Sequence, residues 1–290
     1  MSYSCPHCDE DFESEDEMKN HKYISHPDEI ETVGKILTGI EGFDDLMETD
    51  SDSVSGVPEG SSILIEGGPG SGKTIFCLQN AANRIKEGDN VLFMSFEEPP
   101  HRLVQHMDAF GWEVEEYLEN DQLRIKRYNA LDIARSVEAL LSEAKRELLI
   151  DVKPMLFPDN FEPDFVIIDS LTSIASAFSG EESRFRIYME QLFRYLEQEN
   201  ITTFLIRETP TPTHIGAGGG GNEEAVSFLS DGIVAIYNAI DPSGERDRGI
   251  EIVKMRGEDF KSGIVEMEIK DGEGIVVDSD ENIPGEYTLT

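Results

Sequence analysis

The chain has 290 residues, enough for one large domain with a sizeable core and a small accessory module. Its 60 Asp and Glu against 24 Lys and Arg give a formal net charge of -36, which disfavours general binding to phosphate backbones and points to adaptation to molar salt, where a Debye length of about 3 Å screens such self-repulsion. No run of 18 apolar residues predicts a membrane span, the acidic start Met1–Asp16 lacks the basic and apolar regions of a secretion signal, and Cys5, Cys8 and Cys77 make no disulfide framework, so a cytoplasmic protein is expected.

Residues 1–27 read as a first module. Cys5-x2-Cys8-x12-His21-x4-His26 has the spacing of a C2H2 zinc finger. Thiolate and imidazole donors suit tetrahedral Zn2+. Phe12 and Met18 fall where the apolar core of a ββα finger belongs, and Tyr3 precedes the first cysteine. A module this small needs its metal to fold; the bland alternative is an acidic disordered tail with coincidental Cys and His. Counting His21 as helix position seven, the base-contact positions −1, 3 and 6 carry Ser14, Glu17 and Asn20. Asn20 suits adenine and Glu17 suits cytosine. Yet Asp9, Glu10, Asp11, Glu13, Glu15 and Asp16 crowd them, opposed only by Lys19 and Lys22. That field repels phosphates, so the finger is expected to engage a protein partner or to act structurally. An acidic linker, 28–34, follows.

From 35 to 270 short β-rich runs alternate with helical patterns. The strands are expected at Ser62–Glu66, Asn90–Phe96, Leu123–Arg127, Phe165–Asp169, Thr202–Ile206, Ile233–Tyr237 and Ile250–Met255. Helical patterns cover Lys73–Lys86, His101–Phe110, Asp132–Leu149 and Ser183–Glu199. Apolar strands between helices indicate an α/β fold with a mainly parallel sheet covered on both faces. Ile250–Met255 and Ile264–Ile269 look like an antiparallel hairpin extension. Cys77, among apolar neighbours, reads as a packed core thiol. Residues 271–290 read as an acidic tail with one apolar run, Ile275–Val277.

The segment Gly67-Gly68-Pro69-Gly70-Ser71-Gly72-Lys73-Thr74 fits G-x-x-x-x-G-K-[ST] and lies between a strand and a helix, the context that separates a P-loop from a Gly-rich turn that binds nothing. Glycines let backbone N–H groups curl around phosphate oxygens, and the helix N-terminus favours the anion. Lys73 would reach the β and γ phosphates of ATP, and the Thr74 hydroxyl would join the Mg2+ shell. Asp169, closing the apolar run Phe165–Ile168, has the form of a Walker-B aspartate at the end of a neighbouring strand; alone, it is equally a cap for the next turn. Glu97 and Glu98 follow the strand Asn90–Phe96, expected beside the P-loop strand and facing the nucleotide crevice. A carboxylate there can deprotonate the attacking water; in so acidic a chain a solvated turn is the competing reading.

Together with Thr38-Gly39-Ile40-Glu41-Gly42-Phe43-Asp44, Ser95-Phe96-Glu97-Glu98-Pro99, Phe110-Gly111-Trp112 and Lys254-Met255-Arg256-Gly257, these motifs resemble the KaiC family of the RecA superfamily, in particular its single-domain archaeal members, over about Val33 to Lys270. The resemblance implies a RecA-like fold, ATP bound at the subunit interfaces of a ring, typically a hexamer, and catalytic roles for Glu97 and Glu98. It implies that Lys254 and Arg256 reach the γ-phosphate of the neighbouring subunit, as cations do that stabilise a transferring phosphoryl group. Two-domain members autophosphorylate on adjacent hydroxyls before an Asp-x-Ile segment; here Ser227-Phe228-Leu229-Ser230-Asp231-Gly232-Ile233 keeps no adjacent pair, which weakens that reading. The expected function is a Mg-dependent regulatory ATPase. Two alternatives stand beside it: an autokinase, and a RadA/RecA-like recombination accessory protein. DNA binding by the latter would use mobile loops, but the matching stretch Thr209–Glu224 holds no Lys or Arg, and Arg207 only precedes it.

Overall fold

The computed structural model describes residues 3–5, 8, 10–12, 17–18, 21, 25, 34–47, 55–143, 156–209, 222–240, 244, 246–283 and 288–289. It divides into two units, Met1–Gly34 and Lys35–Thr290.

In the first unit, β1 (Tyr3–Ser4) pairs antiparallel with β2 (Asp11–Phe12), Tyr3 opposite Phe12. Cys5 N–H donates to the Glu10 carbonyl at 2.9 Å, closing the turn between the strands. Glu17, Met18, His21 and Ser25 have helical backbone. Phe12 lies against the His21 ring, centroids 4.7 Å apart, so the expected apolar position does pack beside an expected ligand.

The second unit has small strands β3 (Lys35–Ile36) and β4 (Val57–Pro58) paired with each other. The large sheet, ten-stranded among the described residues, is built from β5 (Ser62–Gly67), β6 (Val91–Ser95), β7 (Leu123–Arg127), β8 (Phe165–Asp169), β9 (Thr202–Glu208), β10 (Gly232–Ile240), β11 (Arg246–Met255), β12 (Val265–Lys270) and β13 (Gly274–Asn282), in the order β13-β12-β11-β10-β5-β9-β8-β6-β7, with β14 (Thr288–Leu289) pairing β10. β7 through β10 in that order are parallel, and β11, β12 and β13 add antiparallel. The expected parallel core and hairpin extension are both present.

Alternation along the strands separates two cores, one on each face of the sheet. Ile63, Ile65, Phe93, Phe165, Ile167, Phe204 and Ile206 join one. Leu64, Leu92, Met94, Val166, Ile168 and Leu205 join the other. The first core is completed by α1 (Lys73–Glu87), α2 (Pro100–Ala109) and α3 (Val114–Glu119). The second takes α4 (Ala130–Glu143), α5 (Leu171–Ala177) and α6 (Glu182–Gln198), with α7 (Asn222–Leu229) contributing Val226. Cys77 is fully buried in the first core, and burial pushes its thiol well up from the ordinary range. Of the helix expected over Asp132–Leu149, residues 144–149 lie outside the described residues. No described helix is long and apolar enough to cross a membrane.

The acidic tail expected at 271–290 is corrected by β13. Ile275 and Val277 are buried in the first core, and their backbone is claimed from both sides. Gln79 of α1 donates to the Ile275 carbonyl at 3.0 Å and accepts from Ile275 N–H. Val277 N–H donates to the Glu41 carbonyl at 2.9 Å. Gly42 makes that contact possible: its φ is 76, and a Cβ there would collide with the Val277 carbonyl. The Thr38–Asp44 motif is thus a brace. Asp44 accepts from Thr38 N–H at 2.9 Å, Thr38 Oγ1 at 2.7 Å and Gly39 N–H at 2.9 Å, while Asn80 and Asn83 of α1 donate to the Thr38 carbonyl.

Candidate nucleotide site

The site is assembled at the carboxyl ends of the parallel strands, where α/β sheets place their ligands. β5 ends at Gly67 and the chain turns through the P-loop into α1. Gly72 caps the helix with φ 114, a conformation open to glycine but not to a side-chain residue here. Lys73 is 8% exposed, and its Nζ donates to the carbonyls of Gly67 at 2.9 Å and Gly68 at 2.7 Å. Burial lowers its pKa; the carboxylates of Glu208, Asp169 and Glu97 oppose that shift. The ammonium therefore sits where three acids need it. On the other side Asn238 of β10 donates to the Pro69 carbonyl at 3.3 Å, steadying the loop.

The strand order differs from the simplest expectation. β8, which carries Asp169, does not adjoin β5; β9 lies between them, and β6 is one strand further out. Side-chain reach closes the gap. Thr74 Oγ1 donates to Asp169 Oδ2 at 3.0 Å. Asp169 is 4% exposed, and its pKa is pushed up to about 7, first by burial and then by Glu97, against the pull of Thr74 and Lys73. A buried carboxylate oxygen beside a threonine hydroxyl is the hard-oxygen donor set that Mg2+ takes, so these residues fit the ion.

Glu97 and Glu98 part company. Ser95, buried at the end of β6, donates its hydroxyl to the Glu98 carbonyl at 2.7 Å and accepts from Glu98 N–H at 3.1 Å. Phe96 N–H donates to the Asp169 carbonyl. This tight turn aims Glu97 at the site, where its Oε1 accepts from Ser170 Oγ and from Ser173 Oγ at 3.1 Å. Glu98 turns toward α2, with Oε2 3.4 Å from Nε2 of His106, and acts on Asp169 only through its charge, the last of the influences on that carboxyl. Ser170 also caps α5, so one hydroxyl serves helix and glutamate. Sequence reasoning passed over Ser170, Ser173 and Glu208. The legible signals were an N-cap serine directly after a strand-end aspartate, and a second acid closing an apolar strand.

Lys254 and Arg256 lie at the other end of the sheet. Met255 pairs with Gly232, and Gly232 with Ile63 at the start of β5, whereas the P-loop follows Gly67. Within the subunit they hold α7: Lys254 donates to the Ser227 carbonyl at 3.0 Å and to that of Ser230, and Arg256 to the Phe228 carbonyl and to Asp231 Oδ1 at 3.1 Å. Ser230 is fully buried, and the Ser227 hydroxyl accepts from Arg207 at 3.0 Å. Arg207 itself is buried in an ion pair with Glu66.

In the first unit the donor atoms of Cys5, Cys8 and His21 lie within 4.8 Å of one another. Cys8 Sγ and His21 Nε2 are 3.2 Å apart, and His21 Nδ1 is 3.3 Å from Glu10 Oε2. A histidine whose second nitrogen is held by a carboxylate has the orientation of a metal ligand. The fourth expected ligand, His26, lies outside the described residues, as do Ser14 and Asn20.

The comparisons agree with this architecture. The family profile described as "ATPase: KaiC" matches residues 36–282. The circadian clock oscillator protein KaiC of Parasynechococcus marenigrum is 32% identical over 239 residues, covering 80% of this chain and 42% of that protein. A UPF0273 protein of Methanopyrus kandleri is 31% identical over 250 residues, covering 85% of this chain and 92% of that one. The crystal structure of a KaiC-like protein from Pyrococcus horikoshii superposes with a TM-score of 0.64 at 27% identity, covering 85% of this chain and 99% of that one. The chain thus spans less than half the length of the clock proteins it matches and nearly the length of the archaeal ones. Its P-loop, its parallel sheet and the reach of the match make it a member of the KaiC family of RecA-like ATPases.

Proposed function

We propose that this protein is a Mg-dependent ATPase that works as a ring and carries a zinc finger for engaging a protein partner. The observation that carries the enzymatic part is the convergence of Lys73, at the start of α1, with Asp169, Glu208 and Glu97 from three separate strand ends around one phosphate cradle. ATP would lie along the loop Gly68, Pro69, Gly70, Ser71, Gly72 and draw the Lys73 ammonium from the loop carbonyls onto its β and γ phosphates. Thr74 and Asp169 would hold Mg2+, which supplies neutralising charge to those oxygens. Glu97, oriented by two serine hydroxyls, takes the proton of the attacking water. Glu98 supports the turn from outside.

Lys254 and Arg256 are placed too far down the sheet to serve their own P-loop, which supports their acting on a neighbour's γ-phosphate. A hexameric ring is the assembly this implies. Zn2+ at Cys5, Cys8, His21 and His26 would supply the folding free energy that so small a module lacks. The alternatives gain no support. Arg207, which precedes the stretch 209–224 in sequence, is committed to Glu66 inside the core, which tells against DNA binding. Ser230 is buried and Ser227 is engaged, which tells against self-phosphorylation.

The test is phosphate release from Mg-ATP in molar KCl, with mass followed by light scattering. Slow release by an ATP-stabilised ring, and loss of nucleotide binding in Lys73→Ala, are expected. A chain that binds Mg-ATP yet releases no phosphate, assembled or not, would sink the enzyme reading and leave a nucleotide-sensing module.

A further inference from the structure

Glu10 stands where the two halves of the expected zinc site meet. Cys5 and Cys8 belong to the hairpin side of the first unit, and His21 to the helical backbone that follows. Glu10 lies between them in sequence and touches both. Its carbonyl accepts from Cys5 N–H at 2.9 Å. Its carboxylate Oε2 lies 3.3 Å from His21 Nδ1. Phe12 packs against the same ring, and the other nitrogen, Nε2, is turned to Cys8 Sγ at 3.2 Å.

The carboxylate is not itself one of the clustered donors. The atoms gathered within 4.8 Å of one another are those of Cys5, Cys8 and His21, and Glu10 stands behind the imidazole, on its far nitrogen. The Glu10 side chain is 67% exposed, and as a surface ion pair such a contact would contribute little. A histidine that ligates through Nε2, however, is neutral and carries its proton on Nδ1. The contact is then a hydrogen bond to a charged acceptor, which is the stronger kind. The Ser25 hydroxyl also lies 3.3 Å from Nδ1, but it is neutral and so the weaker acceptor.

A carboxylate on the far nitrogen fixes the tautomer and the ring orientation, and it makes the near nitrogen more basic toward a metal. In a module this small, metal-binding free energy is folding free energy, so a residue that tunes the histidine tunes the whole unit. We propose that Glu10 is a positioning residue of the metal centre: its carboxylate takes the Nδ1 hydrogen bond of His21, holds Nε2 toward the cysteines, and thereby sets how tightly the first unit keeps Zn2+. This rests on the zinc reading above and adds a residue that is none of its four ligands.

The experiment is zinc uptake by the full chain in molar KCl, in competition with a chelating dye, with Co2+ as the spectroscopic stand-in for Zn2+. Molar salt screens the general attraction of an acidic module for a cation. Glu10→Ala should weaken zinc binding by about 10–100-fold, while its Co2+ form at saturation keeps the visible absorption intensity of a tetrahedral site. Glu10→Gln, which keeps an oxygen acceptor without the charge, should recover part of the loss. Glu13→Gln removes the same charge from the same module and should lose only a few-fold. Equal zinc affinity in wild type and Glu10→Ala, or an equal loss in Glu13→Gln, overturns the role of Glu10 and leaves the ligand set standing. Loss of the tetrahedral absorption at saturation in Glu10→Gln makes Glu10 a part of the fold and likewise overturns the proposal. A wild-type chain that takes up no zinc overturns the ligand set, and the role of Glu10 with it.

Discussion

Glu66 is the last side-chain residue before the P-loop, and its carboxylate is 0% exposed, facing an Arg207 guanidinium that is 5% exposed. Substituting Arg207→Met removes one half of this pair and leaves a carboxylate in the core. Breaking a buried pair in this way costs about 3–5 kcal/mol. For a domain of this size about 2–4 °C of melting midpoint is lost per kcal/mol, so the midpoint should fall by about 6–20 °C. The double variant Glu66→Leu with Arg207→Met removes the uncompensated charge as well as its partner. Apolar replacement of a whole buried pair is often neutral or stabilising by about 1–4 kcal/mol, so the double variant should recover most of the loss. The assay is thermal denaturation followed by circular dichroism in molar KCl, where exposed charges are screened and the buried pair is not. Because Glu66 adjoins Gly67, ATP affinity should fall in the single variant and return in the double. A single variant within about 1 kcal/mol of wild type, or a double variant as unstable as the single one, would refute the view that desolvation governs this pair.

The two glutamates should separate in kinetics: Glu97→Gln should keep ATP binding and lose about 10²–10⁴-fold in turnover, while Glu98→Gln, whose carboxylate faces His106, should lose only a few-fold; equal losses would contradict the divided roles. Arg256→Ala should lower turnover only in assembled protein, and mixing it with the Glu97→Gln, Glu98→Gln variant should partly restore phosphate release if sites are shared between copies, an unchanged rate counting against sharing. One zinc per chain should be released to a chelating dye and by His21→Ala, with nucleotide binding by the second unit retained; a metal-free chain with an unchanged finger spectrum would refute the ligand set. Lowering KCl from molar to millimolar concentrations should lower the melting midpoint, as self-repulsion of a chain with net charge -36 is unmasked; a midpoint indifferent to salt would remove the argument for molar-salt adaptation.

What was legible in the sequence was local. The P-loop carries its own strand, turn and helix start, so Gly67–Thr74 could be placed from spacing alone. The strands around Phe93, Ile167 and Leu205 are continuous apolar runs because both of their faces are buried, a pattern no surface segment shares. The missed features were decided at a distance. β13 reads Gly-Ile-Val-Val-Asp-Ser-Asp-Glu-Asn; its buried side chains, Ile275 and Val277, lie near its start, and the partners that hold their backbone, Gln79 and Glu41, are almost two hundred residues or more away. The insertion of β9 between β5 and β8 is likewise a property of the assembled sheet. Glu97 and Glu98 are identical in the sequence. They are told apart by the Ser95 hydroxyl, which ties down the turn, and by Ser170 and Ser173, which arrive from another strand end. α5 was overlooked because Leu-Thr-Ser-Ile-Ala-Ser-Ala has little apolar periodicity; its helix is set by the Ser170 cap and by Leu171 and Ile174 entering the core.

The clasp between Gln79 and Ile275 bears on how the protein is made. The helix that begins with the nucleotide lysine is synthesised well before the strand that occupies its flank. A nascent chain that has reached Lys270 has its P-loop sequence complete, yet the Gln79 amide has no backbone to grip and the flank of α1 that receives Ile275 and Val277 is bare. Domains form in order of their emergence from the ribosome, so the first unit can form while the second still waits for β13. Completion of the fold around α1 thereby waits for β13, and a chain that stops before Gly274 carries the motif for ATP without the strand that clasps α1.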